Sequence, residues 1–352
     1  EMNAIQFLLL SVTLYGLGTL VTLLFAASPR TSRGVAAFFG LLASVSGVIA
    51  VVLSLIEDAT PSLMLFAIPP FGEFALQMDL LSTLLVAVIS LIGIATSLYS
   101  FSDAPEKVSV SFFTNLFMGA MVLVVTVTNA FFFIVFWELM TLASYFLVVW
   151  EFDKKESVRT GFIYFLVAHI GAALIMVAFF LFFGSAGTFD FAAIRSAALS
   201  PAVKNIVFVL AFLGFGAKAG MVPLHFWTPD TYAAAPSHVS ALMASVMKKT
   251  AIYGILRVCV DLVGGPVLWW GFTVLAFGML SAVFGAFYAL AEKDIKRLLA
   301  LSSVENVGII LMGVGLGMVG MANHQPVLAV LGFLAALYHL LNHAFFKGLL
   351  FL

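Results

Sequence analysis

The stretch FFFIVFWELMTLASYF, residues 131–146, decides the fold of this chain. Seven apolar side chains precede Glu138, and the apolar run extends from 130 to 150 without a glycine or proline. About 20 residues of α-helix cross the hydrocarbon core of a bilayer. A run of this length with one carboxylate near its middle reads as a membrane-spanning helix that carries a charge. Such a charge costs at least ~2.5–3.5 kcal/mol on insertion scales, so an ionisable residue there is a functional candidate by default.

Working outward, ten further apolar runs have the length to span: 4–27, 35–56, 79–101, 110–128, 158–184, 204–223, 236–260, 266–290, 295–320 and 326–352. The first is too long for a cleaved signal peptide and lacks a clear cleavage site. The whole composition agrees. The 352 residues are 63% hydrophobic and 9% charged, with mean hydropathy +1.17; a soluble domain is about 45–50% apolar and about 25% charged. The sequence therefore predicts an all-α, polytopic membrane protein of eleven helices. It excludes a soluble enzyme, a nucleic-acid binder and a disordered scaffold. A formal net charge of −1 offers nothing to a polyanion. The lone Cys259 excludes an internal disulfide and a cluster held by this chain alone, since iron–sulfur clusters need a full set of thiolates. No nucleophile–base arrangement, phosphate loop or haem-attachment motif is present, so redox chemistry belongs to partners.

Two linkers stand out. Residues 57–78, with Glu57, Asp58, Pro61, Pro69, Pro70 and Glu73, read as an acidic extramembrane loop. Residues 185–203, with Asp190, Arg195 and Pro201, predict a short interfacial helix. Arg30, Arg33, Lys107, Lys154, Lys155, Arg159, Lys293, Lys296 and Arg297 fall in odd-numbered loops, against Arg195, Lys204 and Arg257 on the even side. The positive-inside rule then places the N-terminus outside the cytoplasm. The apolar run ending at Phe351-Leu352 has no polar flank, and we expect a longer protein.

Two helices read as interrupted. The seventh runs into Gly214, Gly216, Gly220 and Pro223, and the eighth follows Pro229 and Pro236. Non-helical backbone at membrane depth is tolerated only inside protein or beside a wet cavity, and broken helices mark ion sites in transporters. The glycines and proline put the first break near 216–223. The alternative is a kink that serves packing alone.

The ionisable residues deep in these runs are Glu138, Lys218, Lys248, Lys249, Glu305 and Lys347, joined by His169, His225, His238, His339 and His343. Lys218 sits at the seventh-helix break. A lysine out of water resists holding a proton and a nearby carboxylate restores it, so a lysine moving between those environments takes up and releases protons. The expected partner is Glu138; the alternative is a permanent ion pair. Lys248 and Lys249 point about 100° apart, which leaves one for the interior and one to snorkel or meet a partner. His339, His343 and Lys347 follow at i, i+4, i+8 and share a face. HLLNH lacks the glutamate of a zinc protease motif, and no carboxylate or cysteine completes a tetrahedral set. A proton relay suits neutral imidazoles better. Glu305 precedes Gly313 and Gly317, whose spacing lets helices approach closely. His169 is equally compatible with a structural place.

The motifs FWELM (136–140), FGAKAGMVPLHFWTPD (215–230), PSHVSALMASVMKKTAIYGILRV (236–258), EKDIKRLLALSSVENVGII (292–310) and YHLLNHAFFKGLLFL (338–352) resemble the antiporter-like subunits of respiratory complex I, Mrp antiporters and group 4 nickel–iron hydrogenases. The resemblance is specific from Phe131 to Leu352. VENVGII and YALAEKDIKRLLA look most like the formate hydrogenlyase and hydrogenase-4 branch, and Glu305, usually a smaller polar residue in complex I relatives, points the same way. The resemblance implies two inverted five-helix repeats with broken helices, and it puts the break of the eighth helix near 245–249. That divides the chain into 1–108, a first repeat 109–262 and the start of a second, 263–352. It matches the family's translocation residues to Glu138, Lys218, Lys249, His339, His343 and Lys347, with Lys248 extra. The family's twelfth-helix lysine or glutamate lies beyond Leu352. The resemblance also implies neighbouring membrane subunits and a peripheral electron-transfer arm, whose iron–sulfur clusters and nickel–iron centre would do the redox chemistry in the cytoplasmic (inner) membrane.

Three functions remain open on this reading. The first is a proton-translocating subunit of a redox complex, a hydrogenase. The second is an Mrp-type Na⁺/H⁺ antiporter or complex I subunit. The third is a membrane anchor that pumps nothing.

Overall fold

The computed structural model describes residues 2–57 and 60–352; Asp58 of the acidic linker lies outside the described residues. Among these, 11 helices are long and apolar enough to cross a membrane, and their bounds follow the apolar runs to within a few residues. The described residues divide into two compact units.

The first unit comprises 1–165, 234–246 and 351–352. It is built from α1 (Ala4–Leu24), α2 (Pro29–Ile56), α3 (Leu80–Ser100), α4 (Val108–Thr126), α5 (Ala130–Val148) and the start of α6 (Lys155–Ala186). Asn3 and Gln6 form a capping box for α1, and Asp79 accepts from the Ser82 N–H to start α3. The helices are held by hydroxyls bonded to neighbouring backbone, as Ser11 to the Ala43 carbonyl at 2.7 Å and Ser46 to the Phe7 carbonyl at 2.8 Å. The linker 57–78 is not simply a loop. It folds into an antiparallel hairpin, β1 (Ser62–Ile68) and β2 (Gly72–Gln77). Its PPFG turn ends on Gly72, and alternate residues Phe74 and Leu76 point inward. Phe74 packs on Phe66 and Phe132, and Phe71 stacks on Phe131 at 4.1 Å, so aromatic contacts with α5 stabilise a segment that polarity alone marks as loop.

The second unit comprises 166–233 and 247–350. The predicted short helix is α7 (Phe191–Ser196). The seventh span is α8 (Pro201–Ala219), followed after a break by α9 (Thr228–Ala234). The eighth span, Ser237–Leu262, starts as α10 (Ser237–Leu242) in the first unit and continues as α11 (Lys248–Leu256). It is interrupted as predicted, but it does not open. The α-helix widens into π-helical turns at Met243–Met247 and Arg257–Leu262, and the chain stays helical because no glycine or proline lies in 237–247 to release it. The last spans are α12 (Leu268–Ala291), α13 (Ile295–Ala322) and α14 (Pro326–Phe351). Gly271, Gly278 and Gly285 recur every seventh residue along α12 and lie against Gly315, Gly308 and Glu305 of α13. A β-carbon at 278 would sit 2.9 Å from the Gly308 carbonyl oxygen, so the two backbones touch.

Candidate functional site

In the second unit α8 carries Lys218 into the interior, where it is 2% exposed, and ends at Gly220. Gly220 takes φ +72°, the left-handed cap that turns the chain out of the helix. The backbone freed by the break is satisfied. The Gly220 and Met221 N–H groups donate to the Gly216 carbonyl at 2.9 and 3.1 Å, the Trp227 indole N–H to the Ala217 carbonyl at 3.0 Å, and the Val222 N–H to the Ser281 hydroxyl at 2.9 Å. Those partners let irregular backbone persist among apolar helices.

Lys248 reaches the same break. Its amine lies over Tyr232 at 5.3 Å and Trp227 at 6.0 Å, and a β-carbon at Gly220 would be 3.3 Å from it. Lys248 Nζ has no hydrogen-bond partner among the described residues, and the side chain is fully buried. Lys249 is equally buried. Of the two fates expected for the second lysine, snorkelling is therefore ruled out. The span 237–262 is buried along the whole of its most apolar window, so neither face reaches water.

On α14 the i, i+4, i+8 set shares one face. The His339 and His343 rings stack at 6.4 Å, 8° from parallel. His339 Nε2 donates to Asn306 Oδ1 at 2.9 Å, Asn306 Nδ2 to the Ser302 carbonyl at 2.7 Å, and the Ser302 hydroxyl to Glu305 Oε2 at 3.3 Å. Glu305 thus joins the histidine face through α13. His343 is fully buried, and both its ring nitrogens lack a hydrogen-bond partner among the described residues. Lys347 donates to the Leu299 carbonyl at 3.2 Å. The charges are coupled. Lys249, Lys347 and Lys248 act on His343, Lys249 and Glu305 act on His339, and Lys347 acts on both Lys248 and Lys249.

Of the remaining predicted residues, His225 lies at the α8 break within electrostatic reach of Lys248. His225 stacks on Tyr288 at 5.9 Å and lines an open groove with Glu292 and Arg297. His169 is exposed on α6. Glu138 and His238 belong to the first unit, so the expected Glu138–Lys218 pair joins residues of different units. Within that unit Glu138 is half-buried and its charge acts on Tyr164, which hydrogen-bonds Ser144 at 2.6 Å; His238 is buried against Tyr99.

Sequence reasoning missed Asn306 and Ser302, the links between Glu305 and His339. Their signal was a polar pair flanking Glu305 in SSVEN. It also missed Asp261, which accepts two bonds from Arg195 at 2.8 Å and one from Arg257 at 2.7 Å; the i, i+4 spacing of Arg257 and Asp261 was there to be read. Among the described residues no group of three or more His, Cys, Asp or Glu side chains is placed to hold a metal.

Residues 127–352 match the family described as NADH:quinone oxidoreductase/Mrp antiporter, transmembrane region. The chain belongs to this family. Among curated relatives of this antiporter family, it is 48% identical to hydrogenase-4 component B of Escherichia coli K12, over 100% of the chain and 53% of that protein. It is 36% identical to formate hydrogenlyase subunit 3 of the same organism, over 80% of the chain and 45% of that protein. It therefore spans about half the length of these relatives. The fold is shared with a chain of the archaeal membrane-bound sulfane sulfur reductase (TM-score 0.78, 24% identity, 99% of this chain and 56% of the other). It is shared also with one of the Mrp complex from Dietzia sp. DQ12-45-1b (TM-score 0.81, 23% identity, 98% and 37%). The chain is thus an antiporter-like, multi-pass membrane protein, as its motifs implied, and its relatives are subunits of multisubunit membrane complexes.

Proposed function

We propose that this antiporter-family chain translocates protons as a subunit of a redox complex of the group 4 nickel–iron hydrogenase type, in the cytoplasmic membrane with its N-terminus outside. Partner subunits carry the iron–sulfur clusters and the nickel–iron centre; this chain moves the ion. The observation that supports the reading is the cluster of buried Lys248, Lys249, Lys347 and His343 with half-buried His339. Cationic groups packed together out of water cannot all be charged at once, and protonating one disfavours protonating the next. A proton arriving at Lys249 thus displaces one further along, toward the His343–His339–Asn306–Glu305 face. Lys218 at the α8 break and Glu138 are the elements that load and gate this relay, and the helices from α4 onward form the inverted repeats that position them.

The cluster's donors also favour protons over Na⁺. Amines and imidazoles bind protons, whereas a hard cation needs several oxygen ligands. The test is redox-driven proton movement by the complete complex reconstituted in vesicles and followed with a pH-sensitive dye. Lys249→Met should abolish it while the complex stays assembled. Full pumping by that variant overturns the reading in favour of an anchor. Na⁺-dependent exchange without co-purifying nickel and iron–sulfur proteins favours the Mrp-type alternative.

A further inference from the structure

A cavity with a mixed polar and apolar wall lies inside the first unit, at the ends of α2, α3 and α4, where the lysine cluster plays no part. Its wall includes Arg33, Ser97, Ser100, Thr114, Asn115 and His238. Ala36, Ala37 and Gly40 of α2 leave the space by being small. The volume open to the centre of a water molecule is about 30 Å³. A buried water needs roughly 10–15 Å³ on that measure and two to four polar partners, so the cavity takes on the order of two or three waters.

Two groups of the wall stand out. Arg33 donates to the Ala104 carbonyl at 2.9 Å and pairs with Glu106 at 3.4 Å, and Glu106 is half exposed. Arg33 Nε is buried without a hydrogen-bond partner among the described residues, a donor left for water in a wall that mixes hydroxyls, an amide and an imidazole with alanine, valine, proline and methionine side chains. His238, which lines the same cavity, is 1% exposed, its ring 6.3 Å from that of Tyr99. A hydrated path from a surface ion pair to a buried imidazole passes protons between waters. It suits no metal ion, because no carboxylate lines it.

We propose that this cavity is a hydrated vestibule that loads His238 with protons from the aqueous face bearing Arg33 and Glu106. The inference rests on the proton-translocation reading above. Its first test needs no variant. Hydroxyl radicals generated from water by X-ray pulses in the intact complex, read by mass spectrometry, should oxidise Met118, which lines the cavity, at least about tenfold faster than Met140, equally buried in the same unit but outside it. Equal rates mean a dry cavity and overturn the proposal. Its second test is functional. Ala37→Phe, which plugs the cavity, and His238→Gln should each slow redox-driven proton movement at least about tenfold. The double variant should be no slower than the slower single. A wild-type rate in either single variant, or multiplied losses in the double, overturns the vestibule. If Lys249→Met stops translocation while Ala37→Phe does not, the vestibule alone falls. If Lys249→Met also pumps normally, the functional reading falls with it.

Discussion

The span 237–262 and the pair α12–α13 use opposite means to live in lipid. The first has the lowest mean hydropathy of the eleven spans, 1.2, yet its most apolar window is wholly buried. It carries Lys248, Lys249 and Arg257, and its α-helix is relaxed by two π-helical turns. The second pair is apolar and largely turned outward on α12, where 28% of the best window is buried. Its glycines bring two regular backbones into contact along a seven-residue repeat. A π turn re-aims side chains at the cost of hydrogen-bond geometry, which suits a helix that must present adjacent lysines to an interior. A glycine seam removes side chains and gains dispersion contacts, which suits a helix that only has to hold still. Glu305, at the end of the seam opposite Gly285, is where the rigid pair meets the face of His339 and His343.

This contrast can be broken from either side. The largest effect is expected at the lysines: Lys249→Met or Lys218→Met should cut proton translocation by about 10²-fold or more, with subunit composition unchanged on a native gel. Neutral apolar side chains remove the carrier without adding a desolvation cost, so loss of assembly would instead mark a structural ion pair. Next comes the seam. Gly278→Leu forces α12 and α13 apart and should destabilise the protein by about 1–3 kcal/mol or more, seen as a lower thermal aggregation temperature and reduced yield. Normal stability would show that the contact is dispensable.

The histidine face should respond less, because water fills part of the vacated space. His339→Ala or His343→Ala should slow translocation about tenfold and leave thermal stability nearly unchanged. A double variant pumping at the wild-type rate would make these residues core packing. Trp227→Leu should act more weakly still. It removes one ring near Lys248 and the indole bond to Ala217, and should shift the pH dependence of turnover rather than its maximum. The smallest effect is expected at the α12–α13 turn. A hydrogen bond from Arg297 holds the Glu292 carboxyl below the usual carboxylate range. Its contribution is present at neutral pH and is lost as the pH falls through that depressed value. Glu292→Gln should therefore lower the unfolding temperature slightly at pH 7 and not at pH 3.

Much of the site was legible because the bilayer makes charge rare. Glu138, Lys218, Lys248, Lys249, Glu305 and Lys347 stand out of long apolar runs without any knowledge of the fold. The shared face of His339, His343 and Lys347 followed from helical spacing alone, and the rings do stack. What stayed hidden were links between elements. Asn306 reaches His339 across 33 positions of sequence, and Arg195 reaches Asp261 across 66; no local periodicity announces either.

By itself the sequence determined the eleven spans, the seventh-helix break and the membership of the antiporter family. Hydrophobic length and glycine–proline punctuation are local properties that a bilayer reads one helix at a time. Only the tertiary structure decided that Lys248 and Lys249 are both buried, that the eighth helix widens instead of opening, that 62–77 is a hairpin, and that small residues of α2 leave a cavity whose wall brings Arg33 and His238 together. The reason is common to all four. Side-chain direction, hydrogen-bond register and empty space depend on what the neighbouring helix presents, and a helix's own residues do not carry that information.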